Sequence, residues 1–165
     1  DSRYVAGKTT TVTTDGAETK SKGIEYGVSG KVTDDLIVYG NLAYIDTKYE
    51  KAASNQGNTV EGTPEFTAGL GLDYQIPLIE GLSVNTFVTY IDDQYLDSGN
   101  TLKLPDYTLV DLGAKYVTKL GGVNTTFRAN VDNVTDKKYW DGVFQSGFAT
   151  IGAGRTYKLG VTFDF

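Results

Sequence analysis

The sequence predicts an all-β fold, an antiparallel transmembrane β-barrel of eight strands, and three observations carry that expectation. Apolar and polar residues alternate with a period of two almost from end to end. The links between the alternating stretches are short and long in turn. The chain ends on YKLGVTFDF, where Tyr157, Leu159, Val161, Phe163 and Phe165 share one side of an extended strand and Lys158, Gly160, Thr162 and Asp164 share the other. A frayed polar tail is more usual at a chain end.

Composition narrows the chemistry. The 165 residues suit one domain, a β-barrel over 1–165. There is no Cys and no His, so disulfides, thiolate chemistry, the commonest general base and the commonest zinc ligand are all missing. With 15 Lys and Arg against 21 Asp and Glu, the charge balance argues against a nucleic-acid partner. The 20 Gly, 12 Tyr and 7 Phe favour strands and aromatic belts over helices. No apolar run reaches the roughly 18 residues of a transmembrane helix, but barrel strands give only a weak hydropathy signal each. The chain starts at Asp1 without a visible signal peptide, which reads as a processed chain or an engineered fragment.

The strands follow in order. Residues 2–13 are β-prone but hardly apolar, the weakest of the set. Residues 19–32 carry Ile24, Tyr26, Val28 and Val32 on one face. Residues 36–49 are untidy, since Ile37, Tyr39 and Ile45 fall on the nominally polar side. In 63–77, Phe66, Ala68, Leu70, Leu72, Tyr74 and Ile76 oppose Thr67, Gly69, Gly71, Asp73 and Gln75. In 82–96 the apolar face carries Leu82, Val84, Val88 and Tyr90; in 104–119 it carries Val110, Leu112, Ala114 and Tyr116. In 124–138, Phe127, Ala129 and Val131 oppose Arg128, Asn130 and Asp132, and 147–165 is the last strand.

Short turns fall at 33–35, 78–81 and 121–123, and longer polar links near 13–19, 50–62, 97–103 and 139–148. Outer-membrane barrels have short periplasmic turns and longer external loops, so a periplasmic C-terminus puts every short turn on that side. Tyr74, Tyr116, Phe163 and Phe165 then mark the periplasmic interface, and Tyr44, Tyr90 and Tyr95 the external one. Glu25, Lys31, Asp73, Asp111, Lys115, Arg128, Asp132 and Lys158 point away from lipid, as they should when Arg or Lys on the lipid face near midplane costs about 2–4 kcal/mol. A soluble β-sandwich would also explain the alternation, but not the sided loop lengths or the aromatic terminus.

Catalytic and cofactor motifs do not emerge. Gly69, Gly71, Gly152 and Gly154 open no helix and lead to no Walker-type Lys, which points to crowding inside a barrel or to strand kinks. Asp34–Asp35 and Asp92–Asp93 point to opposite faces when extended, whereas paired-carboxylate chemistry needs convergence. Ser29 and Ser83 have no His to activate them, although a Lys could serve in principle. The Asn124 and Asn133 sequons carry little meaning in a bacterial-type barrel. No cofactor, metal or enzymatic activity is expected.

Five stretches, SKGIEYGVSGKVTDDLIVYGNLAYIDTKY (21–49), GTPEFTAGLGLDY (62–74), LPDYTLVDLGAKY (104–116), FRANVDNVTDKKYW (127–140) and GAGRTYKLGVTFDF (152–165), resemble barrel segments of TonB-dependent outer-membrane receptors. The likeness is closest to the ferric-siderophore branch and covers nearly the whole chain in register. The resemblance implies a parent that imports ferric siderophore with TonB, through a 22-stranded barrel holding an N-terminal plug. This chain matches the last strands of such a barrel and shows no plug and no TonB box; Gly154 stands where the family has proline. In the family, siderophore contacts come largely from plug and loops, so Tyr95 and Trp140 are the positions to inspect. Lys158, Gly160, Phe163 and Phe165 also resemble the signal read by the barrel-assembly machinery, a reading compatible with strand augmentation.

Two functions from different classes follow: the barrel segment of a siderophore receptor, or a stand-alone closed barrel, natural or engineered, that anchors in outer-membrane lipid and transports nothing. A small enzyme in the barrel wall is a third, disfavoured by the missing His. Closure is expected, with residues 4–13 pairing to 155–165, and an eight-stranded lumen would then be filled by side chains and conduct no siderophore.

Overall fold

A computed structural model describes residues 18–165 and, for the backbone only, Ser2–Val5 and Lys8–Thr11. The strands are β1 (Ser2–Val5), β2 (Lys8–Thr11), β3 (Glu18–Lys31), β4 (Leu36–Lys51), β5 (Phe66–Gln75), β6 (Leu82–Ile91), β7 (Gln94–Tyr95), β8 (Lys103–Leu104), β9 (Tyr107–Leu120), β10 (Val123–Asp132), β11 (Trp140–Gln145), β12 (Phe148–Ile151) and β13 (Thr156–Asp164). Every regular element among the described residues is a strand. Seven of them form one antiparallel sheet in the order β13-β10-β9-β6-β5-β4-β3, while β1–β2, β7–β8 and β11–β12 are separate two-stranded pairs.

Apart from a bulge at the outer end of the β3–β4 pair, between Glu18 and Thr19, registers carry the predicted faces across the sheet without a slip. Gly30, Val38, Leu72, Thr86, Leu112, Val131 and Tyr157 form one row over all seven strands. The neighbouring row on the opposite face runs Lys31, Ile37, Asp73, Asn85, Gly113, Asn130 and Lys158. Because strand side chains alternate strictly, a slip of one residue would have put the charges among the aliphatics. All eight charged residues expected on the polar face lie there by register.

Among the described residues nothing packs over the apolar face. Among the described residues the buried large apolar side chains are only Leu104 and Tyr107, both outside the middle of the sheet, whereas Leu159 is 88% and Ile24 74% exposed. A sandwich would have covered this face with a second sheet. The single layer has no such core.

The polar face has its own packing. The side of β4 that looked untidy in sequence is where Tyr39 stacks on Phe87, with ring centroids 5.8 Å apart and planes 17° from parallel. Gly71 lies between them in the same cross-strand row, and a Cβ there would collide with the Tyr39 ring. At Gly113 a Cβ would lie 2.5 Å from the Oδ1 atoms of both Asn85 and Asn130. Gly69 likewise faces Asn41 and Phe87. These glycines crowd the polar face, as the sequence suggested for Gly69 and Gly71.

At one end of the sheet the connections are tight. Thr33 Oγ1 accepts hydrogen bonds from the Asp35 and Leu36 amides at 3.3 and 3.1 Å, which closes the β3–β4 turn. Gly121 and Gly122, at φ 58° and 87°, form the two-residue link between Leu120 and Val123, the left-handed pair that suits strand twist. The β5–β6 turn and Phe165 lie at this same end, and the three long connections lie at the other.

The expected closure is not made. Ser2–Val5 pairs with Lys8–Thr11 instead of with β13, so its hydrogen bonds are spent in a local hairpin; the rest of 2–13 lies outside the described residues. Among the described residues the sheet therefore has seven strands, not eight, and both β13 and β3 keep a free edge. Without that closure the sheet encloses no eight-stranded lumen for side chains to fill. The two edges also run the same way, since β3 and β13 both head toward the tight-turn end. They cannot join antiparallel; only an odd number of further strands could bridge them.

Candidate functional site

The long connections at the open end are the natural place for recognition, because loops on a rigid scaffold carry it. They are not three independent flaps. The Gly62 amide donates to the Tyr95 carbonyl at 2.9 Å, and Asn55 Nδ2 donates to Ser98 Oγ at 2.8 Å. Asn100 exchanges two bonds with Thr59, one each way, both 2.8 Å. The Ser98 amide then reaches Ser146 Oγ at 3.1 Å, and the Gly147 amide reaches the Leu96 carbonyl at 2.8 Å. The β7–β8 hairpin is thus laced between the β4–β5 link on one side and the β11–β12 hairpin on the other.

Asp97 organises the middle of this assembly. Its carboxylate accepts from the Leu102 amide at 2.7 Å, the Thr101 amide at 3.0 Å and Thr101 Oγ1 at 2.9 Å, while Asn100 adopts φ 57°. Those donors, the Leu102 N–H foremost, hold its carboxyl below the ordinary carboxylate range against the opposing effect of burial. DSGN (97–100) is a turn sequence by composition, but the partners of Asn55, Asn58, Ser98 and Ser146 have no sequence signal, because they lie some forty residues away along the chain.

A second knot joins β10 to β13. Asn133, 3% exposed and at φ 49°, receives the Lys137 amide at 2.8 Å and donates through Nδ2 to the Lys137 and Ala153 carbonyls at 2.9 and 3.0 Å. Its own amide donates to Asp111 Oδ1 at 2.7 Å. Asp136 accepts from the Arg155 amide at 3.0 Å, which with Lys138 holds its carboxyl low. Tyr139 covers Gly152 and packs on Tyr107 at 4.4 Å between centroids, so Gly152 too is a crowding position.

Tyr95 lines a polar cleft of about 280 Å³ with Thr59, Thr63, Glu65, Asp92, Asp93 and Lys103. Lys103 Nζ sits 4.8 Å above the Tyr95 ring and 2.7 Å from Asp93 Oδ1. The bond to Asp93 raises the Lys103 pKa, against desolvation. Trp140 lines a different cleft, with Pro105, Asp106, Lys137, Lys138 and Ile151. The structure does not bring the two aromatics into one pocket. Among the described residues no group of His, Cys, Asp or Glu is arranged to hold a metal ion.

On β13, Lys158 forms an ion pair with Asp132, and the Phe163 and Phe165 rings stand 6.5 Å apart. A Cβ at Gly160 would have no described atom within 4 Å. These residues lie on or beside a strand whose outer edge is unpaired.

The comparisons agree with this architecture. Residues 1–134 match the family model described as TonB dependent receptor-like, beta-barrel. The ferrichrome receptor FcuA of Yersinia enterocolitica is 36% identical over 151 residues, covering 90% of this chain and 20% of that protein. The ferrioxamine B receptor of Salmonella typhimurium is 30% identical over 152 residues, covering 90% of this chain and 22% of that protein. Among solved structures, the ferric preacinetobactin receptor BauA of Acinetobacter baumannii superposes with a TM-score of 0.84 at 33% identity, over 99% of this chain and 24% of its own. The chain thus spans about a fifth of the length of the curated relatives it matches. With most of its length matched and its sheet superposing on such a receptor, the chain belongs to the TonB-dependent receptor β-barrel family.

Proposed function

We propose that the chain is a wall segment of a bacterial outer-membrane receptor that imports ferric siderophores with TonB. The observation that carries this reading is the seven-stranded sheet whose apolar face, from Ile24 and Tyr44 toward the tight-turn end, has no described residue packed on it. In a bilayer that face meets outer-membrane lipid and the polar face meets the lumen. The sheet's free edges call for an odd number of further strands, and the 22 strands of such transporter barrels exceed the seven here by an odd number. On this reading the segment is equivalent to the last strands of that barrel, 1–165 belongs to a single β-barrel domain, and any plug lies elsewhere in the polypeptide. The stand-alone closed barrel loses its support with the open sheet.

The same reading puts the tight turns and the C-terminus in the periplasm and the laced connections outside the cell. Tyr95 and Trp140, on two different clefts, then present separate surfaces toward an arriving ferric siderophore. Lys158, Gly160, Phe163 and Phe165 serve as the mark recognised by the barrel-assembly machinery, which would pair with the free edge of β13.

Uptake of iron-55 chelates of ferrichrome, ferrioxamine B and preacinetobactin, in cells whose sole receptor is the polypeptide carrying this chain, tests the proposal. TonB-dependent accumulation of at least one chelate is expected. Equal accumulation with and without the receptor, for all three, contradicts it.

A further inference from the structure

The cleft beside Tyr95 carries more negative charge than its own cation cancels. Glu65, Asp92 and Asp93 line it against the single ammonium of Lys103. The pairing of β5 with β6 runs one step past its ladder, since the Asp92 amide donates to the Phe66 carbonyl at 3.0 Å. Glu65 and Asp93 thereby continue the alternation that puts Thr67 and Ile91 on the polar face. Asp93 is taken by Lys103, and Asp92 accepts from the Tyr90 hydroxyl at 3.2 Å and the Asp93 amide at 2.9 Å. Among the described residues no cation lies within ion-pair distance of Glu65.

Gln94 adds an independent signal. It is 5% exposed and lines the same cleft, yet among the described residues its side-chain amide has no hydrogen-bond partner. Polar groups so deeply placed are nearly always paired. Among the described residues only Ser83 Oγ is both unpartnered and sealed from solvent, so the Gln94 amide keeps its access to the cleft.

The cleft also shows which chemistry it accepts, because it already holds one ammonium. Lys103 Nζ lies 4.8 Å over the Tyr95 ring and 2.7 Å from Asp93 Oδ1, a cation–π contact joined to an ion pair. At about 280 Å³ the space is smaller than the roughly 300–1,000 Å³ that enclose a whole drug-sized ligand. It therefore suits an end group, not an entire iron chelate.

We infer that the cleft of Glu65, Gln94 and Tyr95 receives the terminal primary ammonium of a cationic ferric chelate, and so favours such chelates over uncharged ones. An ammonium has three donors and no acceptor; the Glu65 carboxylate and the Gln94 carbonyl oxygen accept from it, and the Tyr95 ring offers its face. Lys103 is the internal competitor for the same acceptors. The inference rests on the reading of the chain as part of a ferric-siderophore receptor with this end outside the cell, and adds the charge class of the chelate.

Equilibrium binding of iron-55 chelates to outer membranes holding the full polypeptide tests it. The pair to compare is ferrioxamine B, a trihydroxamate chelate ending in a primary ammonium, and its N-acetyl derivative, in which the same chelate ends in a neutral amide. Ferrioxamine B is expected to bind several-fold more tightly, with a ratio that shrinks as salt is added. Glu65→Gln should bring the two affinities toward equality. Lys103→Gln should widen the ratio several-fold, since it removes the competitor and frees Asp93, whereas mere damage to the cleft would narrow it. Equal affinities in the unaltered protein, a ratio untouched by Glu65→Gln, or a ratio narrowed by Lys103→Gln refutes the subsite. Binding of ferrichrome or ferric preacinetobactin with neither ferrioxamine form bound also refutes it, while the receptor reading stands. Binding of none of these chelates refutes that reading, and the subsite with it.

Discussion

Single residues decide how the polar face packs. Gly71 leaves room for the Tyr39–Phe87 stack, and any side chain there must displace the Tyr39 ring. Gly71→Val is expected to destabilise the protein by about 1–3 kcal/mol, the usual cost of overpacking, read as a lowered urea midpoint. Tyr39→Ala in the same molecule should recover part of the loss, since the clash is with that ring. Asn133 is a second such point: Asn133→Ala strands the Lys137 amide and the Ala153 carbonyl, with an expected loss of about 1–3 kcal/mol. Asp97 adds a pH dependence. Its carboxyl is lowered in the folded turn, so protons favour the opened turn, and the clamp is complete above the ordinary carboxylate pKa of about 4. The Leu102 amide resonance should therefore stay constant from neutral pH to about pH 4 and move only as pH falls through the lower, folded value. A shift beginning near pH 6 would assign the clamp to another group, and Asp97→Asn should abolish the low-pH step.

Strands were legible in the sequence because alternation is a local property, and the connections were less so because theirs is not. β3, β4 and β9 begin and end within a few residues of the expected bounds, and every expected apolar face holds by register. The stretch 82–96 was read as one strand, but β6 stops at Ile91 and Gln94–Tyr95 starts a separate hairpin. The stretch 147–165 divides between β12 and β13 for the same reason: the break at 152–155 serves Asn133 and Asp136, partners that alternation does not reveal. Tyr95 and Trp140 were legible only as aromatics near long links, and their separation into two clefts needed the loop lacing. The element-level energetics make a sharp contrast. Leu70→Arg, at the middle of β5 on the apolar face, should cost about 2–4 kcal/mol in lipid, whereas Gln75→Arg on the polar face should change the unfolding midpoint little. Equal effects would mean that the two faces see the same medium.

At the scale of the molecule the decisive facts, among the described residues, are an apolar face without a cover and two parallel free edges. Exposed strand edges are untenable in hydrocarbon, where each unsatisfied backbone group costs several kcal/mol. Both facts resolve together if further strands complete a barrel in a membrane. Parity allows closure of residues 4–13 onto 155–165, and the local pairing of Ser2–Val5 with Lys8–Thr11 replaces it. The most direct test is a spin-label scan along β9, from Val110 to Lys115, in outer membranes. The chain contains no Cys, so each label reports one site. Collision with lipid-dissolved oxygen should peak at Val110, Leu112 and Ala114 and fall at Asp111, Gly113 and Lys115. A flat profile, or one with the two sets reversed, would contradict the assignment of this sheet as a lipid-facing barrel wall.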